Sequence, residues 1–252
     1  MSILQNAAAV LKLYSADCTE LTVTDVARRL GILKANASRL MKAMRDTEML
    51  STIGDSLRHR PGTVMLDLAV VFRRSSRLIS RASDAVADHA AQFGHTGYIS
   101  ILDGQEVTAA ADFPGTNALR VVSNIGRRLL AHQSATGRSI LARMPDGDVA
   151  VLYNGQPPTG GLPTQLAAIR QNGFATSSQE STPGVDAIAV AVGDPVTRET
   201  ISLCIAYPHG TVDENGVTEM LAALAKAAAQ IAADFGDSAF AAPTFEHKKE
   251  SA

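Results

Sequence analysis

The sequence predicts an α+β protein with two domains: a small helical domain that ends in a β-hairpin, and a larger domain in which strands alternate with helices. Residues 1–80 carry consecutive apolar stripes at helical spacing, whereas beyond residue 80 short apolar runs at strand spacing are interleaved with helical stripes. The charge divides at the same place, because residues 1–80 contain 12 Lys/Arg and 7 Asp/Glu, and residues 81–252 contain 11 and 18. A basic end on an acidic remainder favours a nucleic-acid-binding module on a separate body. Two solvated surfaces with an accidental bias would give the same counts.

Composition excludes several other classes of protein. The chain of 252 residues is 46% hydrophobic and 19% charged, which is typical of a globular protein and not of a disordered one. It contains no apolar run of membrane-spanning length, and its first residues lack the basic-then-apolar order of a signal peptide. Cys18 and Cys204 are the only cysteines and lie far apart, so neither a disulfide framework nor a zinc site is indicated. We therefore expect a cytoplasmic protein without a metal or cofactor.

Three amphipathic helices are predicted near the N-terminus. The first is indicated by apolar residues at helical spacing: Ala7, Val10, Leu11 and Tyr14. The second opens at Thr22 or Thr24, either of which can cap it, and its buried face consists of Val23, Val26, Ala27 and Leu30. Gly31 follows at once, where a residue with positive φ can end a helix. The buried face of the third helix consists of Ala37, Leu40, Met41 and Met44.

The third helix presents a polar face. With its apolar stripe turned inward, five polar side chains point outward: Asn36, Ser38, Arg39, Lys42 and Arg45. Two helices joined by a glycine-containing turn form a helix-turn-helix, whose second helix lies in the major groove of DNA. Asn and Arg can make bidentate contacts to adenine and guanine, and Ser and Lys suit phosphates or base edges. A small helical bundle with a solvated polar face is the alternative.

A β-hairpin is predicted directly after this helix. Residues 49–53 read as a strand, 54–56 as a turn and 57–60 as the returning strand, closed by Pro61-Gly62. Such a hairpin would be the wing of a winged helix-turn-helix domain, which we assign to residues 1–62. Arg58 and Arg60 would then meet phosphates or a minor groove, although an ordinary solvated hairpin would also explain them.

The residues expected to contact double-stranded DNA come from the start of the second helix, the third helix and the wing. They are Thr22, Thr24, Lys34, Ala35, Asn36, Ser38, Arg39, Lys42, Arg58 and Arg60. A linker helix is predicted next, at residues 63–80, with an apolar face made of Val64, Leu68, Val71, Phe72, Ser75 and Ile79. We expect this face to pack against a second copy of the chain and so to set the spacing of two DNA-binding domains. Its arginines, Arg73, Arg74 and Arg77, fit a solvated face better than a DNA contact.

The larger domain is assigned to residues 81–238, followed by a flexible tail at 239–252. Its predicted helices are 82–93, 135–144, 165–172 and a last one with an apolar stripe over 217–235. Its predicted strands are 98–102, 105–113, 119–123, 174–178, 186–192 and 201–207, with a hairpin signal at Asp103-Gly104. Hairpins among interleaved strands and helices favour a largely antiparallel sheet flanked by helices.

Three runs of this domain resemble segments of the IclR family of bacterial regulators. Residues 132–142, HQSATGRSILA, are similar to that family's H-A-S-A-x-G-K-A-x-L-A segment. Residues 166–175, LAAIRQNGFA, resemble its L-x-x-I-R-x-x-G-Y run, and residues 184–192, GVDAIAVAV, resemble its G-V-x-S-I-A-A-P-V run. Ser38-Arg39-Leu40 agrees as well, and the similarity covers about residues 3–236. Arg138 stands where the family has Lys, and Ala191 stands where Pro is common.

This resemblance implies a winged helix-turn-helix followed by a GAF-like effector-binding domain, assembled as a homodimer or a dimer of dimers. It implies a transcription regulator that binds a pseudo-palindromic operator, responds to a small-molecule effector and controls a catabolic operon; RNA polymerase is an open further partner. The alternatives are an architectural DNA-binding protein without an effector, and an enzyme that uses the C-terminal pocket. The sequence contains no Walker loop, GxGxxG, HExxH, GxSxG or CxxC pair, and its six histidines show no metal-ligand spacing. We therefore expect no enzyme activity.

The resemblance also places the effector between the sheet and the loop that opens the S-A-x-G helix. Free N–H groups of Ala135, Thr136 and Gly137 at that helix start would bind an anion, so we expect a small carboxylate. The expected lining residues are Leu130, Ala135, Thr136, Gly137, Ser177, Ser178, Ala187, Cys204 and Ala206. Each also has a plain structural explanation, as a helix cap or a small core residue. Three arginines could attract an acid or simply face solvent: Arg120, Arg127 and Arg128.

Overall fold

The computed structural model describes residues 2–122, 126–156, 158 and 161–244 of the chain. The chain divides into two compact units, residues 1–75 and residues 76–252. Each unit has its own hydrophobic core. Within the described residues, no helix is both long enough and apolar enough to cross a membrane.

The N-terminal unit is a winged helix-turn-helix. Its elements are, in order, α1 (Ile3–Leu11), β1 (Leu21–Thr22), α2 (Val23–Leu30), α3 (Lys34–Asp46), β2 (Leu50–Thr52), β3 (Arg58–Pro61) and α4 (Thr63–Ser75). The apolar stripes of α1, α2 and α3 meet in one core, together with Leu21 and Leu50 from the strands. The strands form an antiparallel sheet in the order β1-β3-β2, so the wing has one strand more than the sequence predicted.

Local signals set both ends of α2. The Thr22 hydroxyl accepts the Asp25 N–H at 3.1 Å, and the Asp25 carboxylate accepts the Thr22 N–H at 3.0 Å, which is a complete capping box. Gly31 ends the helix with a φ of 65°, a conformation that a side chain disfavours. Because the turn after Gly31 is short, α3 begins only three residues later, at Lys34.

The linker helix is shorter than the sequence predicted. Instead of one helix over residues 63–80, α4 ends at Ser75 and a new helix, α5 (Arg77–Phe93), follows. Ser76 accounts for the break because its backbone is extended and its hydroxyl caps α5 by accepting the Ile79 N–H at 3.0 Å. Ile79, which the sequence placed on the linker stripe, lies in the core of the C-terminal unit instead.

The apolar stripe of α4 is exposed in the single chain. Leu68, Val71 and Phe72 of this stripe are exposed, and so are Leu66 and Val70 elsewhere on the same helix. Several large exposed apolar side chains on one helix mark an interaction site more often than a solvated face.

The C-terminal unit is built on a six-stranded antiparallel sheet. Its strands are β4 (Thr96–Asp103), β5 (Glu106–Phe113), β6 (Arg128–Leu130), β7 (Ala175–Ser178), β8 (Val185–Asp194) and β9 (Glu199–Pro208), in the spatial order β6-β5-β4-β9-β8-β7. The helices besides α5 are α6 (Ala135–Leu141), α7 (Asp146–Leu152), α8 (Leu162–Asn172) and α9 (Glu214–Phe235). The predicted α+β class, with an antiparallel sheet flanked by helices, is confirmed.

The local predictions for this unit need correction at four places. The sequence missed β6 and α7, and α6 is shorter than the predicted helix at 135–144. The strand predicted at 119–123 is wrong for residues 119–122, and Ser123 lies outside the described residues. The carbonyl of Val121 accepts a hydrogen bond from the Thr96 hydroxyl at 2.6 Å, so a side chain takes the place of a strand partner.

The two faces of the sheet carry side chains of different size. Toward α5 and α9, β8 and β9 place branched residues in the main core: Ile188, Val190, Val192, Leu203 and Ile205. The alternate residues of the same strands are small: Ala187, Ala189, Ala191, Ser202, Cys204 and Ala206. Because side chains alternate across a strand, all of the small residues share the face covered by α6. This face therefore has room for a cavity.

The first part of the predicted tail packs against the C-terminal unit. Phe240 packs on the main core, and the Ala239 carbonyl accepts a hydrogen bond from Arg143 Nη1 at 3.4 Å. The Thr244 N–H donates to the Asn172 carbonyl at 3.0 Å. Residues 239–244 are therefore held in place and not free, and residues 245–252 lie outside the described residues.

Candidate nucleic-acid interface and internal cavity

The outward face of α3 matches the prediction except at its end. The buried residues are Ala37, Leu40, Met41 and Met44, and the exposed ones include Lys34, Ala35, Asn36, Ser38, Arg39 and Lys42. Arg45 is the exception, because it is half-buried and lies with Nη1 3.3 Å from Nε2 of His59 in the wing. Six of the candidates for DNA contact are thus accessible on this helix.

Several of these side chains have partners within the unit. Arg39 Nη2 donates to the Asn36 side-chain oxygen at 2.7 Å, and Lys42 pairs with Asp46 at 2.7 Å. Exposed pairs of this kind contribute little stability, so DNA can replace them at small cost. Thr24 is exposed, whereas the Thr22 hydroxyl is engaged in the cap of α2 and lowers the pKa of Asp25 by hydrogen bonding.

The wing presents its two arginines to solvent. Arg58 lies 3.5 Å from Glu20, and the Arg60 Nε donates to the Ser51 hydroxyl at 3.3 Å. Both contacts are weak and exposed, which leaves each guanidinium free to meet a phosphate. The helix face and the wing together form a basic surface of the kind that a winged helix-turn-helix uses on DNA.

The C-terminal unit contains a cavity of about 110 Å³ between the sheet and the start of α6. Its floor consists of small residues from the α6 side of the sheet, including Ser100, Ala187, Cys204 and Ala206. Its walls come from the α6 start (Ser134, Ala135, Thr136) and from the segment after β7 (Ser181, Thr182). A cavity of 150 Å³ lined by apolar residues holds benzene, so this one suits a molecule of a few carbons or one ring.

Six of the nine residues expected at an effector site line this cavity. They are Ala135, Thr136, Ser177, Ala187, Cys204 and Ala206. Their roles toward a ligand stay predictions, but the fold brings them together from β7, β8, β9 and α6 as the sequence analysis expected.

The remaining three, Leu130, Gly137 and Ser178, do not line the cavity. Leu130 is 42% exposed on β6, and its neighbour Leu129 points inward instead. Ser178 follows Ser177 on β7 and so points to the opposite face.

Gly137 does not contribute to the cavity or to an anion site there, for two reasons that concern the start of α6. Its N–H already donates to the Ser134 hydroxyl at 3.0 Å, so it is not free to bind an anion. It also packs so closely on Ala131 that a Cβ would lie 2.3 Å from the Ala131 Cα. The donors left at this helix start are the N–H groups of Ala135 and Thr136, which have no acceptor in the preceding turn.

Arg127 is the charged residue of the cavity. Among the three arginines that the sequence singled out, Arg128 pairs with Asp103 at 2.6 Å and Glu106 at 3.3 Å, and Arg120 is exposed. Arg127 is half-buried and lines the cavity, and within the described part of the chain it forms no ion pair.

Two weak acids of the cavity stay protonated. Burial raises the pKa of the Cys204 thiol to about 11, against a hydrogen bond with Thr136. Burial also raises the pKa of Tyr98, as do Cys204 and Asp112 to a smaller extent, and nearby Arg127 opposes the shift. Asp112 lies across the β4–β5 pair from Tyr98 but does not line the cavity. The described part of the lining therefore carries one positive charge, that of Arg127, and several neutral hydroxyls.

Sequence reasoning left about two thirds of the lining unassigned. It singled out Arg127 without placing it in the lining, and it missed Tyr98, Ser100, Val107, Ala109, Val121, Val122, Leu129, Ser134, Ser181, Thr182 and Val185. One signal could have found Val185: small residues at every second position of residues 187–191 mark a sheet face that leaves space, and one more step of the same period reaches Val185. The residues from β4, β5 and β6 depend on strand order, which the sequence does not display.

Comparison with known proteins assigns a family. The family model described as bacterial transcriptional regulator IclR, C-terminal, matches residues 73–233, which is more than half of the chain. The chain belongs to the IclR family of transcriptional regulators. The resemblance found in the sequence is thereby confirmed.

This IclR-family chain is similar to relatives along most of its length. It is 25% identical over 220 residues to the HTH-type transcriptional regulator XynR of Escherichia coli (strain K12), a match that spans 83% of this chain and 87% of XynR. XynR is described as an HTH-type transcriptional regulator, which is the class of function that the sequence predicted.

Solved structures of IclR-type regulators share the fold. An IclR transcriptional regulator from Silicibacter sp. TM1040 matches with a TM-score of 0.81 and 21% identity, over 93% of this chain and 96% of that one. An IclR homologue from Microbacterium hydrocarbonoxydans, in complex with 4-hydroxybenzoate, matches with a TM-score of 0.73 and 21% identity, over 94% of this chain and 100% of the homologue. At these identities the likeness establishes the fold.

Proposed function

We propose that this IclR-family chain binds a pseudo-palindromic DNA operator through α3 and the wing, and responds to a small organic acid held in the C-terminal cavity. The exposed apolar stripe of α4 supports a dimer, since a second copy would cover it. A two-fold dimer carries two copies of α3 and so reads two half-sites in opposite orientation.

The charge of the cavity carries the proposal of an organic acid. Among the described lining residues, Arg127 is the only charged side chain. A buried or half-buried charge is costly unless an opposite charge lies nearby, so a cavity with one unpaired guanidinium favours an anion. The N–H groups of Ala135 and Thr136 add donors at the other wall. A carboxylate can accept hydrogen bonds from the Arg127 guanidinium and from these N–H groups, and the apolar part of a small acid fits beside Val107 and Leu129.

The relative from Microbacterium hydrocarbonoxydans supports the same class of ligand. That protein holds 4-hydroxybenzoate, a one-ring carboxylate. A ring of this size is comparable with the cavity of about 110 Å³ in the present chain. We therefore propose that aromatic and short aliphatic carboxylates are the ligands to test first.

The experiment is a thermal-shift screen with carboxylates and their uncharged amides, followed by calorimetry on each hit. We expect at least one carboxylate to stabilise the protein without being consumed, and its amide to have no effect. Consumption of the compound would favour an enzyme, and the lack of any hit would favour an architectural DNA-binding protein.

Arg127→Gln is the variant that tests the charge argument. A hydrogen bond to a charged group contributes about 1.5–3 kcal/mol, so the variant should bind the carboxylate about 10- to 150-fold more weakly. Arg128→Gln is the matched control, because Arg128 is paired with Asp103 and Glu106 and does not line the cavity. Equal affinities for the two variants would refute the role of Arg127.

A further inference from the structure

The wing contains one buried polar side chain, that of His59. It lies on β3, the middle strand of the wing sheet, opposite Leu21 of β1 and Thr52 of β2. His59 is 4% exposed, whereas its neighbours Arg58 and Arg60 are exposed. Because side chains alternate across a strand, the geometry that presents both arginines to solvent also directs His59 into the unit.

Two elements outside the wing sheet contact His59. The Tyr14 hydroxyl, from the segment after α1, donates to the His59 carbonyl at 3.2 Å. Arg45, near the end of α3, places Nη1 3.3 Å from His59 Nε2. A guanidinium can only donate hydrogen bonds, so His59 Nε2 must accept and the ring must be neutral, with its proton on Nδ1. The side chain of His59 thus joins the recognition helix to the middle strand of the wing.

We propose that His59 and Arg45 are positioning residues, whose mutual contact fixes the wing against α3 and so holds Arg58 and Arg60 where they meet the DNA backbone. This inference rests on the proposed DNA-binding function. The sequence placed Arg45 among the outward-facing residues of α3, but its half-buried position and its contact with His59 give it a role inside the unit. Loss of the contact frees the wing and leaves the apolar stripe of α3 in place.

Acid should break this contact. Burial, and to a smaller extent the Arg45 guanidinium, lower the pKa of His59 below its ordinary value of 6.5. Backbone hydrogen bonds with Leu21 and Leu57 raise this pKa but do not reverse the shift. The other titratable group against His59 is Tyr14, whose pKa burial raises to about 12, so it stays neutral. The strands on either side place Leu21 and Thr52, which carry no charge, opposite His59.

The direction of the pH effect follows from the lowered pKa. Below about pH 6.5, His59 binds a proton more readily in the unfolded chain than in the folded one. The neutral contact therefore stabilises the fold fully above this pH, and this stabilisation is lost as the pH falls through the lower pKa of folded His59. A protonated ring has two N–H donors and a positive charge, and both oppose the Arg45 guanidinium.

The test is the salt dependence of binding to a mixed-sequence DNA duplex of about 30 base pairs, measured by fluorescence anisotropy at about pH 7.5. Each phosphate that a side chain neutralises adds about 0.9 to the slope of log affinity against log salt. If Arg58 and Arg60 each contact one phosphate, the double variant Arg58→Ala/Arg60→Ala loses about 1.8 of that slope per bound chain. Between about 50 and 200 mM salt, the affinity of the wild type then falls about 12-fold more than that of the double variant.

His59→Leu should lose the same slope as this double variant, although both wing arginines are still present. His59→Gln should restore the slope, because its amide oxygen can accept the hydrogen bond from Arg45. Arg45→Met should lose slope in the wild-type background and lose nothing further in the Arg58→Ala/Arg60→Ala background, since it acts through the wing. As the pH is lowered from about 6.5, the wild type should lose slope once His59 binds a proton, and His59→Gln should not.

A wild-type slope for His59→Leu at about pH 7.5 would overturn the proposal, and so would a further loss for Arg45→Met in the double background. Circular dichroism melting shows whether each variant is folded. If His59→Leu is unfolded, the comparison of Arg45→Met in the wild-type and in the Arg58→Ala/Arg60→Ala backgrounds still tests whether the contact acts through the wing. If the wild type does not bind the duplex at low salt, the proposed DNA-binding function is wrong, which is a different result from a wild type that binds with a slope independent of His59.

Discussion

Replacing Ser177 with phenylalanine should close the cavity, whereas the same replacement at Ser178 should leave it open. The two residues are adjacent on β7 and have the same chemistry, but Ser177 lines the cavity at 6% exposure and Ser178 is exposed on the opposite face. The pair therefore separates the effect of filling the cavity from the effect of adding a phenyl group to this strand.

The size of the effect follows from the dimensions of the cavity. A cavity of 150 Å³ accommodates a benzene ring, so a phenyl group at Ser177 takes up nearly all of the cavity of about 110 Å³. A ligand at 100 times its Kd stabilises the folded state by about 2.7 kcal/mol. For a unit of this size that corresponds to a rise in Tm of about 5–11 °C. Ser177→Phe should abolish this rise, and Ser178→Phe should retain it.

The assay compares Tm with and without the carboxylate for each variant, because overpacking by itself can cost about 1–3 kcal/mol. Calorimetry with the same carboxylate gives the affinity directly. Normal binding by Ser177→Phe would show that the ligand lies elsewhere in the molecule. Equal loss in both variants would show that β7 responds to bulk on either face, and the assignment of the cavity would lose its support.

Two further predictions concern DNA and assembly. Arg39→Ala should weaken binding to the cognate operator by about 1–3 kcal/mol and relax the preference at one base position, which competition with mutated operators would detect; unchanged preference at every position would contradict the recognition-helix assignment. The wild type should be a dimer or larger assembly by light scattering, and Leu68→Ser/Phe72→Ser on α4 should shift it toward the monomer. A wild type that is monomeric at micromolar concentration, with and without DNA, would exclude α4 as an interface.

The N-terminal unit could be predicted well because its signals are local. The cap at Thr22, the stop at Gly31 and the stripe of α3 each lie within one turn of the structure that they specify, and the helix-turn-helix follows from their order. The break at Ser76 was missed for the opposite reason. The apolar pattern runs on from α4 into α5, and only the packing of Ile79 in the second core shows that the helix has to be interrupted.

The cavity was predicted in part because its residues come from strands that are neighbours in space but distant in sequence. Ala187 lies in a segment that resembles the family and Cys204 lies in a predicted strand, whereas Arg127 lies beside a three-residue strand with too short a pattern to be recognised. The pairing of β6 with β5 is what brings Arg127 to the cavity, and nothing in residues 126–130 alone indicates that pairing.

The three misplaced residues show which physical rule was left out. Ser177 and Ser178 are successive residues of one strand, so they cannot both face one cavity, and the period of two already excluded one of them. Leu129 and Leu130 are also successive residues of one strand, so only one of them can face the cavity. Strand pairing decides which: Leu129 lies opposite Val107 of β5, which lines the cavity. Gly137 follows a different rule, since the Ser134 cap that makes the helix start possible also takes the Gly137 N–H from any ligand. An anion at this helix start therefore meets only two N–H donors, those of Ala135 and Thr136. Under the proposal of an organic acid, the guanidinium of Arg127 supplies the positive charge that balances it.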